Sequence, residues 1–226
     1  MRFTIRAGAV GVLFLVGTCL GYGGFEVTGS FVGVKELNQT LTALNQEWNG
    51  SGPFAHTSPL LWLGGHGGAQ VGVVTFGGSG AITASASHAD SLGSELAALR
   101  GSFEAGYPYA PTEWFWVRPC VDVGLAGWLI YVHSVESGIL VGSSQPNFSR
   151  WFSAWTLGAA PGVEVMGRLS SSRESFIGLF AKAGYFIPVA GPEWSGDIPP
   201  PKFSLSGFTL QVGLRFGKTP YRAFRI

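Results

Sequence analysis

The chain has 226 residues, enough for one barrel or sandwich domain with its own core. Only 12% of the residues are charged and the formal net charge is +1, which excludes a basic surface for nucleic acid. The 35 glycines and 14% aromatic residues favour strands and turns over helices.

The N-terminus predicts an export signal. Arg2 and Arg6 lie before an apolar run over residues 7–17. This run is shorter than the ~20 residues that a spanning helix needs. We expect residues 1–21 to be a signal peptide, cleaved near Gly21. Two alternatives stay open: a lipoprotein-like pattern at Cys19, and a first strand over residues 2–11. After cleavage Cys120 would be the only cysteine, which excludes an internal disulfide.

Eight strand-like segments follow, each with apolar and polar residues in alternation. They are longer than the usual strands of globular sheets and suit the ~9–11 residues that cross a bilayer at a tilt. Their predicted ranges are 23–33, 59–67, 70–87, 94–106, 114–133, 150–169, 174–189 and 203–217.

The connections between these segments differ in length. Those over residues 34–58, 134–149 and 190–202 are long, whereas 65–69 and 170–173 are tight. If the first strand starts in the periplasm, all the long connections face outside the cell, as in outer-membrane barrels. Leucines at helical spacing over residues 35–48 predict a short helix that caps the barrel rim. A plug in the lumen and a partner-binding helix are the alternatives.

Two patterns carry a family resemblance: the glycine-rich pair LGGHGGA (63–69) and FGGSGA (76–81), and the closing segments FIGLFAKAGYFIPV (176–189) and FSLSGFTLQVGLRFG (203–217). With them the chain resembles small, porin-like bacterial outer-membrane β-barrel proteins. The resemblance implies an all-β fold: an antiparallel up-and-down transmembrane β-barrel of about eight strands over residues 22–218, with one short helix in the first long loop. It implies no catalytic residues and no cofactor. A tail over residues 219–226 departs from the family, whose members tend to end on an aromatic residue.

Charged residues in these segments share one parity of the alternation. In a membrane barrel that parity faces the lumen, and the five positive and four negative groups nearly balance. We therefore expect ion pairs that fill the lumen and close it, since unpaired charges in a low-dielectric space cost several kcal/mol each. The alternative is a selective solute path shaped by Arg118 with Asp122 and Glu164 with Arg168. The predicted lumen charges are Glu26, Arg100, Glu104, Arg118, Asp122, Glu164, Arg168, Lys182 and Arg215.

Aromatic residues cluster near the segment ends, as in the interfacial belts of membrane barrels. The alternative is that they form the core of a soluble fold. The predicted interfacial residues are Trp114, Trp116, Trp151, Trp155 and Tyr185.

Nothing in the sequence predicts catalysis or a metal. Residues 77–80 lack the Gly-Lys-Ser/Thr that completes a phosphate loop. The four histidines, His56, His66, His88 and His133, do not pair at metal-ligand spacing. The run from His88 to Ser91 holds His, Asp and Ser, but a triad needs groups that converge from separate segments.

Three functions remain open. The first is a non-enzymatic outer-membrane barrel with a structural or surface-interaction role through loops 34–58, 134–149 and 190–202. The second is a small porin or transporter on the same fold. The third is a soluble secreted barrel that binds an apolar ligand, with its Val, Leu and Phe residues facing inward. The expected partners are the lipid bilayer and a small solute or surface partner, with no nucleic acid.

Overall fold

Eight antiparallel strands in sequential order close into a barrel in the computed structural model, which describes residues 21–48, 50–134, 149–171, 175–196 and 204–218. Strand β8 pairs with β1 to complete the closure. The predicted fold class is confirmed. The strands are β1 (Tyr22–Gly33), β2 (Leu60–Val71), β3 (Val74–His88), β4 (Leu92–Gly106), β5 (Phe115–Ser134), β6 (Ser149–Ser171), β7 (Ser175–Gly196) and β8 (Ser204–Lys218).

One helix, α1 (Val34–Glu47), leaves β1 and lies at the same end of the barrel as the first residues of β2 and β4. We call this the cap end. The opposite end, the turn end, holds the start of β1 and the tight turn between β2 and β3. The predicted signal peptide, the tail and most of the loop over residues 134–149 lie outside the described residues. Within the described residues, no helix is long and apolar enough to cross a membrane.

Two connections differ from the prediction. The glycine-rich residues 65–69 belong to β2, and the turn lies at Gly72, whose φ of +61° suits a residue without a side chain. The segment predicted as a loop from residue 190 continues β7 as far as Gly196. Both errors arise because glycine and proline are also compatible with strands, so composition alone does not separate a turn from a strand.

The alternation has its apolar side on the outside. In β1, Phe25 and Val27 are exposed whereas Glu26 and Thr28 are buried. The same division holds around the barrel, with Phe103 83% exposed in β4 and Val123 half-exposed in β5. The alternative of a soluble barrel with its Val, Leu and Phe parity inward is therefore wrong.

Candidate functional site

The lumen is layered along the barrel axis. Next to the cap end lies an apolar cluster. It is formed by α1 and by inward residues in the cap-end halves of the strands, including Leu37, Leu41, Trp62 and Trp128. Below it lies a layer of charged side chains. At the turn end a second cluster holds Tyr22, Trp116, Met166, Phe176 and Phe180.

The charged layer is one continuous chain of contacts, which we call the ion network. It begins where Lys182 Nζ contacts Asp122 Oδ2 at 2.6 Å and Glu104 Oε2 at 2.5 Å. Glu104 also pairs with Arg118. Arg118 donates to Glu164 Oε2 at 2.7 Å and to Thr75 Oγ1 at 3.0 Å.

Glu164 joins the two halves of the network. Its two carboxylate oxygens accept from the Arg215 guanidinium at 2.6 and 2.7 Å, a bidentate geometry. The Arg215 guanidinium lies between the rings of Tyr22 and Phe180, at 4.8 and 4.9 Å from their centroids. These rings hold the guanidinium plane in place from the turn end.

His66 continues the network to its far end. Arg215 Nε donates to His66 Nε2 at 3.1 Å, so Nε2 carries no proton. The proton of a neutral ring is then on Nδ1, which lies 3.1 Å from Glu26 Oε2. Glu26 lies 3.6 Å from Arg100, which donates to Thr28 at 2.8 Å.

With His66 neutral, the formal charges of this network cancel. Among the described residues it joins four carboxylates to four cations, in strands β1, β2 and β4 to β8. The members are Glu26, His66, Arg100, Glu104, Arg118, Asp122, Glu164, Lys182 and Arg215.

Glycines make room for these side chains. The residues that flank Arg215 on its two neighbouring strands are Gly24 and Gly178. A Cβ on Gly24 would lie 2.6 Å from the His66 ring and 2.0 Å from a backbone oxygen. The glycine content of the strands therefore serves the packing of large charged groups in a narrow lumen.

Two predicted site residues lie apart from the groups to which the sequence assigns them. Arg168 lies at the turn end with its guanidinium 4.6 Å from the Trp116 ring, and the described contacts do not join it to the ion network. Trp116 is 4% exposed and faces the lumen, not the interface. Its even number gives it the same parity as Arg118, so the alternation itself could have placed it inside.

The other predicted interfacial aromatics are on the outside. Trp114, Trp151, Trp155 and Tyr185 are 42–59% exposed. Trp151 stacks on Tyr131 at 4.2 Å between ring centroids, at the cap end of β5 and β6. The sequence does not single out His66 as a site residue, because the glycines around it predict a tight turn.

The cap end is closed by α1 and by the return segment, residues 50–58, which we together call the cap. Asn38 accepts from the His56 backbone N–H and donates to its carbonyl, both at 2.9 Å. The His56 ring lies 3.0 Å from Ser85 Oγ and 3.2 Å from Ser94 Oγ. These contacts attach the cap to β3 and β4. Burial lowers the pKa of His56 below the usual histidine value, which favours the uncharged ring.

The residues that the sequence offers for catalytic or metal chemistry lie apart from the ion network. Asp90, in the His88–Ser91 run, accepts from Ser51 in the return segment. Within the described ranges, no group of three or more His, Cys, Asp or Glu side chains is placed to hold a metal. Cys120 is buried in the lumen wall, and its thiol lies 3.7 Å from the Gly162 carbonyl oxygen.

A closed antiparallel barrel with an apolar exterior and a charged interior is a transmembrane β-barrel of the bacterial outer-membrane class. No protein-family model and no curated protein matches the chain. Among solved structures, the chain is similar to Ail, the attachment invasion locus protein of Yersinia pestis. The TM-score is 0.43 and the identity is 12%, over 88% of this chain and 98% of that chain.

Proposed function

We propose that the chain is a non-enzymatic outer-membrane protein whose lumen is closed and whose role is structural or surface-interaction. One observation carries the proposal. The ion network runs through the lumen from Asp122 to Arg100, on the turn-end side of the apolar cluster that α1 covers.

The network opposes conduction for an electrostatic reason. Ion channels commonly use rings of one sign or carbonyl dipoles, which replace the hydration of a passing ion. Here each carboxylate already faces a cation, so an ion that passes through the network must break a buried pair. An eight-stranded barrel has just enough interior for side chains, which leaves no wide route around the network.

Conductance in planar bilayers tests the closed lumen. The full chain, refolded in detergent and inserted, should give no steady current. Its insertion is checked by the mobility shift that folded barrels show on unheated gels. A steady, reproducible conductance would favour the alternative of a small porin or transporter.

The proposed interaction end consists of residues 34–58, 134–149 and 190–202, of which 190–196 continue β7. The outward face of α1 supports a solvent-facing position, since Lys35, Glu36, Gln39 and Glu47 are exposed and polar. We propose that residues 1–21 direct export and that the cap end then faces the cell exterior.

Cysteine labelling on intact cells tests this orientation. Gln39→Cys on α1 should react with a membrane-impermeant maleimide. Val73→Cys, in the turn at the opposite end, is the matched control and should react only after the outer membrane is permeabilised. The native Cys120 is buried and gives a low background. The reverse labelling pattern would contradict the proposed orientation.

A further inference from the structure

A cavity of about 80 Å³ lies in the middle of the lumen, between the apolar cluster of the cap end and the ion network. Side chains or backbone from all eight strands line it. One buried water needs roughly 10–15 Å³ by the same kind of measure, so this cavity has room for several waters or one small solute.

Three residues that line the cavity carry hydrogen-bond donors without a described acceptor. Lys182 directs two of its three ammonium protons to carboxylates, and the described residues supply no partner for the third. Arg100 Nε is buried without a hydrogen-bond partner among the described residues. The same holds for the indole N–H of Trp62, a residue that is 2% exposed.

The cavity wall carries more positive than negative charge. Arg100 and Lys182 line it together with only one described carboxylate, that of Asp122. Glu26, Glu104 and Glu164 line a separate, smaller cavity towards the turn end. Two of the network's four cations, Arg100 and Lys182, therefore line the central cavity, whereas Arg215 lines the smaller one.

The roof of the cavity is apolar. Trp62 and Trp128 meet there edge to face, with 5.6 Å between ring centroids, and Val32 and Phe186 complete the surface. A molecule that fits both surfaces has an acceptor-rich anionic end and a small apolar end.

We propose that this cavity is a binding site for a short-chain aliphatic carboxylate. The carboxylate would accept from Lys182, Arg100 and the Trp62 indole, and its alkyl chain would pack on Trp128 and Phe186. A buried donor without an acceptor is destabilising, so an oxyanion that satisfies several of them gains affinity from the cavity itself. Water satisfies the donors but makes no use of the apolar roof.

Equilibrium dialysis with radiolabelled butyrate tests the proposal. The full chain is refolded in detergent with butyrate present, so that the ligand need not cross the cap, and micelles without protein give the blank. We expect saturable binding of one butyrate per barrel, which excess unlabelled butyrate displaces. Butyramide, the uncharged analogue, and sodium chloride at equal ionic strength should not displace it.

Three variants separate this site from unspecific uptake. Trp62→Phe keeps an aromatic ring and removes the donor, and should raise the dissociation constant about tenfold. Ala160→Leu adds bulk to a cavity-lining position and should abolish binding while the barrel folds. Trp155→Phe makes the same aromatic change on the outer surface and should leave binding unchanged. Absence of saturable binding, displacement by butyramide, or equal affinity in Trp62→Phe and Trp155→Phe would overturn the proposal.

Discussion

Glu164 has a central position in the lumen because it accepts from two guanidinium groups at once. Arg118 contacts its Oε2 and Arg215 contacts both of its oxygens, and all three side chains are buried. Removal of one buried charge leaves the others without compensation in a medium that hydrates them poorly.

The substitution Glu164→Gln should therefore destabilise the barrel strongly. The amide keeps the shape of the side chain but leaves the two guanidinium groups with one carboxylate fewer. We expect a loss of about 3 kcal/mol or more in the free energy of unfolding. Urea-induced unfolding in detergent or vesicles, followed by tryptophan fluorescence, measures it.

Glu47→Gln is the matched control for this substitution. Glu47 is exposed at the end of α1, where the loss of a charge should change the free energy of unfolding by less than about 1 kcal/mol. Equal stability of Glu164→Gln and the wild type would mean that the network contributes little to the fold.

At the residue scale, alternation predicts which charges face inward but not which of them meet. Arg168 has the lumen parity, yet it lies nearer the turn end than the ion network does, beside Trp116. His66 has the same parity as the buried residues of β2. It joins Arg215 to Glu26, residues distant in sequence. Depth along the axis depends on strand register, which a local pattern does not contain.

At the element scale, the cap is fastened by a buried histidine whose described ring contacts are two serine hydroxyls. Because burial lowers the pKa of His56, the folded cap binds its proton less readily than the unfolded cap does. The stability of the cap should be complete above the ordinary histidine pKa of about 6.5 and decrease as the pH falls below it.

Hydrogen exchange of the α1 amides between pH 7.5 and pH 5 measures this loss. After correction for the intrinsic pH dependence of exchange, protection in α1 should decrease at low pH, whereas protection in the strands should not. His56→Gln should remove the dependence, because an amide forms hydrogen bonds without titrating. His88→Gln changes an exposed histidine and should leave the dependence intact.

The helix and the strands differ in how far the sequence predicts them. Leucines at helical spacing predict α1 to within one residue at either end, since the same residues pack in the apolar cluster. The glycine-rich part of β2 was predicted as a turn. Its glycines instead lie beside Glu26 and other large lumen groups, a reason that appears only when the neighbouring strands are in register.

At the scale of the whole molecule, the barrel is arranged opposite to a soluble protein. Its apolar residues form the outer surface, its charges lie within, and both ends of the lumen are covered by clusters of apolar side chains. A continuous apolar exterior of this kind requires lipid or detergent to cover it. The alternation predicts a two-faced sheet, but the same alternation fits a closed barrel with either face outside, and only the exposure of the side chains separates the two.

This arrangement predicts a depth-dependent cost for a charge on the outer surface. Val212 is half-exposed midway along β8, between Val27 and Ala181 on the neighbouring strands. Val212→Arg should destabilise the barrel folded in lipid vesicles by about 2–4 kcal/mol, the range for arginine at the bilayer midplane. Val71→Arg, next to the turn after β2, is the matched control and should cost about 0–1 kcal/mol, because its guanidinium reaches the interface. Urea titrations of folding into vesicles measure both values, and equal costs at the two positions would contradict a bilayer centred on the middle of the strands.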